Sequence, residues 1–161
     1  MKKIDNLHAA SVAAHAAGAK GGASGGVVPA IQPSTTFLRG PDYTLENPQN
    51  IYSRDHSENL RHAEAVIAAL EGASEALLFP SGMAAIAAVF RSLPSGAQVI
   101  LQSGIYWGTT KWARDFAARR GIILHEIDTS EAAALDQACK THAPALVFIE
   151  TPSNPWLKTT D

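Results

Sequence analysis

The chain has 161 residues, a formal net charge of −2 from 13 basic and 15 acidic side chains, and 46% hydrophobic content. This length and balance fit about one globular domain; they exclude a disordered chain and the basic footprint of a nucleic-acid binder. A single cysteine, Cys139, excludes an internal disulfide framework and fits a reducing compartment. The basic start Met1-Lys2-Lys3 is followed by an Ala-rich stretch interrupted by Asp5, Asn6, His8 and His15. It therefore lacks the apolar core of a signal peptide, and no run reaches the about 18 apolar residues of a membrane span. The cytoplasm is the expected compartment.

Residues 7–17 read as a weak helix, followed by a Gly-Ala-Ser stretch to residue 26, together an arm rather than a core element. Residues 27–37 read as extended, punctuated by Pro29 and Pro33, and 40–50 as loop. Leu60, Ala63, Val66, Ile67 and Leu70 follow helical spacing, with Ser57 or Asn59 as cap and Gly72 as stop. Strands are predicted at 76–79, 98–102, 122–127 and 145–149. They alternate with helices at 82–92, 109–120 (stopped by Gly121) and 130–140 (capped by Ser130). Short apolar strands alternating with helices specify an α/β layer around a mostly parallel sheet. The domain reading is an arm and extended segment over 1–58 and an incomplete α/β domain over 59–161.

Ligands of such sheets bind beyond the carboxyl ends of the strands. Three polar or aromatic segments fall there: Pro80-Ser81-Gly82-Met83, Ser103-Gly104-Ile105-Tyr106 and Glu150-Thr-Pro-Ser-Asn154. Ser81-Gly82-Met83 opens a helix after an apolar run. Its free amides and the absence of a Cβ at Gly82 suit an anion such as a phosphate. The same pattern also makes an ordinary turn and cap, and no Walker or dinucleotide motif follows. Tyr106 is placed to stack on a flat ligand, although aromatics more often pack internally. Arg54 in Tyr52-Ser53-Arg54 offers a planar fork for phosphate or carboxylate; an exposed Arg near a helix start is the plainer reading. Pro152 and Pro155 fix Asn154 in a rigid loop. His56, Glu58, His62 and Glu64 do not form a metal site, because the two histidines are six positions apart and share no helix face. Cys139 reads as a small apolar filler.

The order of these segments carries more than any one of them. Val27-Val-Pro-Ala-Ile31, Ser34-Thr-Thr-Phe37, Tyr52-Ser-Arg54, Leu70-Glu-Gly72, Ser81-Gly-Met83, Tyr106-Trp-Gly-Thr109 and Glu150-Thr-Pro-Ser-Asn-Pro155 run in sequence. The set resembles the Cys/Met-metabolism family of pyridoxal-phosphate enzymes over residues 27–161. That family holds cystathionine γ-synthases, cystathionine γ- and β-lyases, methionine γ-lyases and sulfhydrylases. The resemblance implies part of a fold-type-I large domain, with pyridoxal 5′-phosphate as cofactor and a sulfur-containing amino acid as substrate. It also implies a homo-oligomer. It assigns the cofactor phosphate to Ser81, Gly82 and Met83, and the stacking ring to Tyr106. Asn154 would contact the cofactor's phenolic oxygen and the substrate, while Tyr52 and Arg54 would reach the phosphate of a neighbouring subunit.

The chain departs from the family in two places. Tyr-x-Arg usually runs into an Asn-Pro-Thr turn, where Asp55-His-Ser-Glu-Asn59 stands here, and Trp107 replaces the first Gly of Tyr-Gly-Gly-Thr. The family's Schiff-base lysine, in a Ser-x-Thr-Lys motif, and the acid that pairs with the pyridine nitrogen lie downstream of the Asn-Pro loop. Lys111 and Lys158 lack that motif and read as solvated side chains. No catalytic residue is therefore assigned, and the isolated chain is expected not to turn over. Two readings stand: a truncated C–S bond-forming or bond-cleaving enzyme of the γ-synthase/γ-lyase type (a β-lyase or sulfhydrylase within the family being the variant), or a non-catalytic protein that binds a phosphate ligand or pairs with a full-length homologue.

Overall fold

The computed structural model describes residues 7–19 and 25–161. The chain divides into two compact units, Met1–Leu78 and Phe79–Asp161. Most of the Gly-Ala-Ser stretch, at 20–24, lies outside the described residues. Among the described residues no helix is long and apolar enough to cross a membrane.

The first unit is organised by one helix. Helix α1 (Ala9–Ala14) is shorter than its predicted span and gives way to a 3-10 turn at Ala16–Gly18, where Ala16 and Ala17 take positive φ. Val12 is buried, and both pieces lie against α2 (Glu58–Glu71). Of the two candidate caps for α2, Ser57 is the one used: its hydroxyl accepts the Leu60 N–H at 3.2 Å, worth about 1 kcal/mol. Gly72 ends the helix in the left-handed conformation (φ 65°). Asn59 instead tethers the extended segment, accepting from the Gln32 N–H and donating to the Ala30 carbonyl. Arg61 donates to the Gln49 carbonyl and to Asn50 Oδ1. Residues 27–57 form only two isolated bridges, Thr36 with Tyr52 and Arg39 with Leu45. Side chains of α2 thus satisfy backbone groups that a sheet would otherwise pair.

The strand expected at 76–79 is absent. The segment is without ladder partners, Leu77 is 74% exposed, and the Leu78 N–H goes to Glu64 Oε1 at 2.9 Å. An apolar run makes a strand only where another strand accepts its hydrogen bonds.

The second unit holds a parallel three-stranded sheet in the order β2-β1-β3. Its strands are β1 (Gln98–Gln102), β2 (Ile123–Ile127) and β3 (Leu146–Phe148). Ile100 of β1 pairs with His125 and Val147 on its two sides. Helices α3 (Gly82–Arg91), α4 (Trp107–Arg120) and α5 (Ala132–His142) flank it. Residues 99–102 of β1 are fully buried, as a central parallel strand covered on both faces requires. Val99 and Leu101, two apart and so on one face, join Phe90, Ile105, Ala113, Ala117 and Ile122 in the core. Trp112 meets Phe90 edge-on at 5.6 Å and stacks on Phe116 at 4.8 Å. Arg114 on α4 grips Glu126 on β2 through both carboxylate oxygens.

Ser130 does not cap α5. The helix starts one residue beyond Glu131, and the Ser130 hydroxyl and N–H both bind Asp128 Oδ1 at 2.6 and 3.2 Å. The Asp128 side chain closes its own local turn two residues on and so takes the serine that would have capped the helix.

His125 on β2 stacks on His142, the last residue of α5, at 3.6 Å, and its Nε2 lies 2.6 Å from Gln98 Oε1. Burial, and secondarily the charge of His142, lower the His125 pKa from its ordinary 6.5. The fold therefore favours neutral His125. Its contribution to stability is complete above the ordinary value and is lost as the pH falls below it, through the lowered value. Thermal melts between pH 7.5 and 5 are expected to show a steeper loss for the native chain than for His125→Phe, which keeps a ring over His142. Equal slopes would refute this linkage.

Candidate active site

Because β1, β2 and β3 are parallel, their carboxyl ends open on one side of the sheet. Gln102 closes β1. Fully buried, it accepts the Glu150 N–H on its Oε1 at 2.7 Å. Glu150 lies just beyond β3, and its carboxylate reaches two loops: Oε1 accepts the Asn154 N–H at 2.6 Å and Oε2 the Tyr106 N–H at 3.4 Å.

The loop that follows is folded tightly on itself. The peptides before Pro152 and Pro155 are cis. Buried Ser153 exchanges hydrogen bonds with Lys158, its N–H donating to the Lys158 carbonyl and its Oγ accepting the Lys158 N–H. The Thr129 and Thr160 hydroxyls meet at 2.8 Å. The Lys158 ammonium pairs with Asp128; with the Ser130 bonds, it holds that carboxyl down at about 2. Lys158 is thus ion-paired at the surface, beyond the plain solvation expected of it. Asn154 stands exposed on this braced loop.

Tyr106 occupies the residue before α4, and its ring lies over the backbone of Gly108. A Cβ at 108 would sit 2.5 Å from Tyr106 Cε1. Tyr106 is 47% exposed. Trp107, 70% exposed, carries the Lys111 ammonium 5.0 Å from its ring centroid.

Ser81 caps α3, its Oγ accepting the Ala84 N–H at 3.1 Å. The amides of Gly82 and Met83 have no partner among the described residues, and a Cβ at Gly82 would meet nothing within 4 Å. Met83 Sδ accepts from the hydroxyl of buried Thr109 at 3.6 Å, and the Thr109 N–H returns to the Tyr106 carbonyl at 3.0 Å. Thr109 therefore joins the start of α3 to Tyr106, and Glu150 joins Tyr106 to Asn154. Five residues marked in the sequence, Ser81, Gly82, Met83, Tyr106 and Asn154, are connected through these two. Tyr52 and Arg54 belong to the first unit, where the guanidinium stands 5.0 Å from the Tyr52 ring centroid and Ser53 donates to the Thr35 carbonyl.

Gly108, Thr109 and Glu150 fall inside segments marked in the sequence but received no role of their own there, and Gln102 was read only as the end of a strand. The available signal was a polar residue closing each of two apolar runs, at 102 and at 150.

Residues 10–161 match the family described as Cys/Met metabolism PLP-dependent enzyme. The chain belongs to this family. Cystathionine γ-lyase of Sus scrofa is 37% identical over 139 residues, 86% of this chain and 34% of that protein. Cystathionine γ-lyase CalE6 of Micromonospora echinospora superposes with a TM-score of 0.82 at 31% identity, covering 96% of this chain and 40% of that one. Cystathionine γ-synthase of Xanthomonas oryzae pv. oryzae, solved in complex with cystathionine, gives 0.80 at 28% identity with the same coverage. The chain spans about a third of the length of the curated relatives it matches.

The family's cofactor is pyridoxal phosphate, and the residues present fit its phosphate and ring. Free amides open the ten-residue helix α3, the space above Gly82 is clear, and Tyr106 is an aromatic side chain left half-exposed. Gly108→Ala is expected to dislodge the Tyr106 ring without weakening α4, since Ala is favoured over Gly within a helix by about 1 kcal/mol. Ring-to-backbone NOEs between Tyr106 and residue 108, recorded with a thermal melt, test it. Unchanged NOEs would show that Gly108 does not seat the ring.

Proposed function

We propose that this chain carries the phosphate-seating and ring-stacking part of an enzyme that forms or cleaves a C–S bond in a sulfur-containing amino acid, of the cystathionine γ-synthase or γ-lyase type. The observation that carries the reading is the link through Thr109 between the side chain of Met83, whose amide is free at the start of α3, and the backbone of half-exposed Tyr106. When bound, pyridoxal phosphate supplies an electron sink for bonds around the amino-acid α-carbon. The protein's part is to bind and orient. Gly82 and Met83 N–H groups donate to phosphate oxygens at the positive end of α3. The Ser81 hydroxyl, already accepting from Ala84, still has its proton to donate to the same anion. Tyr106 stacks on the pyridine ring, and the Asn154 side-chain amide donates to the ring oxygen and the substrate. Tyr52 and Arg54 serve the phosphate of a neighbouring copy in a homo-oligomer, where a planar guanidinium suits two phosphate oxygens. The single cysteine supports a cytoplasmic, reducing setting.

A second reading, a non-catalytic phosphate-binding chain that pairs with a longer relative, is favoured by one observation. Lys158 is held by Asp128 and Lys111 lies over Trp107, so neither is free at the site. After excess pyridoxal phosphate has been removed by desalting, borohydride is expected to fix no retained adduct on either lysine.

Gly82→Asp tests the phosphate seat. The side chain enters open space, and an acid at a helix start does not harm the helix. Affinity for pyridoxal phosphate, read by fluorescence quenching, is expected to fall by about tenfold or more, a change of about 1.4 kcal/mol. Unchanged affinity would refute the seat.

A further inference from the structure

We propose that Glu150 is the positioning residue of this site: one carboxylate, anchored by buried Gln102, sets the Tyr106 ring and the Asn154 amide in a fixed relation. The last ladder pair between β1 and β3 is Leu101 with Phe148. Beyond it the two strands would part. The Gln102 side chain continues the connection by accepting the Glu150 N–H at 2.7 Å. Each Glu150 oxygen then takes one backbone N–H, from Tyr106, 44 positions away, and from Asn154, four positions on. The 2.6 Å bond from Asn154 is charge-assisted, a kind about twice as strong as neutral ones, and the 3.4 Å bond from Tyr106 is the longer and weaker of the two. Neither N–H has another acceptor among the described residues.

Gln102 makes the arrangement specific. It is 0% exposed at the end of an otherwise apolar run, and its Nε2 has no hydrogen-bond partner among the described residues. A buried donor left unsatisfied is costly, so an apolar side chain would suit packing alone better. What Gln102 adds over Leu is the acceptor that fixes the Glu150 backbone. The phosphate seat on α3 reaches Tyr106 by another route, through Thr109. Loss of Glu150 therefore loosens ring and amide together and leaves the phosphate seat intact. The ligand part of this inference rests on the function proposed above; the positioning part does not.

The experiment compares the native chain with Glu150→Ala, Glu150→Gln and Gln102→Leu. Amide hydrogen exchange is followed at Tyr106 and Asn154, with the β1 amides as a control for folding. Affinities for pyridoxal 5′-phosphate and for inorganic phosphate are measured beside it. In Glu150→Ala both amides are expected to exchange about tenfold faster or more, with β1 protection retained. Glu150→Gln, with one acceptor oxygen, should protect only one of the two, and it decides the matter if the alanine variant does not fold. Gln102→Leu should accelerate both. Affinity for inorganic phosphate should hold, while the advantage of pyridoxal phosphate over it falls about tenfold. Independent exchange of the two amides, or an unchanged affinity ratio in a chain that binds both ligands, overturns the proposal. If the native chain binds neither ligand, the proposed function fails, and the exchange data alone decide the role of Glu150.

Discussion

Burial of β1 on both faces sets the terms for the second unit. Val99 and Leu101 commit one face to Phe90 and to the small residues Ala113 and Ala117 of α4. β1 also supplies both ladders of the sheet, to β2 on one side and β3 on the other. A slip of one residue would exchange the side chains presented to the two helix layers and take Gln102 away from the Glu150 N–H. The carboxyl ends of all three strands are then placed to within a residue. The loops beyond them, at 103–106 and 150–154, inherit that placement. The polar site owes its geometry to an apolar packing decision made one turn of chain earlier.

The parts of the fold legible in the sequence are those whose cause is local. Gly72 and Gly121 end α2 and α4 in the left-handed conformation because glycine adopts it without strain. The buried run at 98–102 announced β1 by its composition. The misread parts turn on a choice of hydrogen-bond partner that composition does not show. Residues 76–79 are as apolar as a strand, but composition says nothing of a hydrogen-bonding partner, and Glu64 supplies a different one. Ser130 stands where a cap belongs, yet Asp128, two residues earlier, holds it. The contacts by which residues of the marked segments join one another were silent as well. Glu150 acts on an N–H 44 positions back, and Thr109 on a sulfur 26 positions back. No local pattern encodes such a pair.

The departure at Trp107 is explained by the same geometry. In Tyr106-Trp107-Gly108-Thr109 the ring needs space at 108, where a Cβ would collide with it, and needs none at 107. Trp107 projects into solvent with Lys111 across its face. The glycine that makes room for the Tyr106 ring is thus present, and the side chain at 107 lies outside that contact. The altered segment after Arg54 is similar in kind. Asp55 and His56 both return their N–H groups to the Tyr52 carbonyl, so the turn is held by the backbone and its side chains are free to differ.

Trp156 lies against Gly104, whose absent Cβ would be 3.3 Å from the indole Cδ1, while remaining 69% exposed. Trp107 shares that exposure, and only Trp112 is packed into the core among aromatic rings. The three indoles therefore divide by solvent contact into one interior and two rim chromophores. Emission from the wet pair falls at longer wavelength than emission from the packed one. The loops that carry the candidate site are in this way spectroscopically marked by the chain itself, apart from its folded interior.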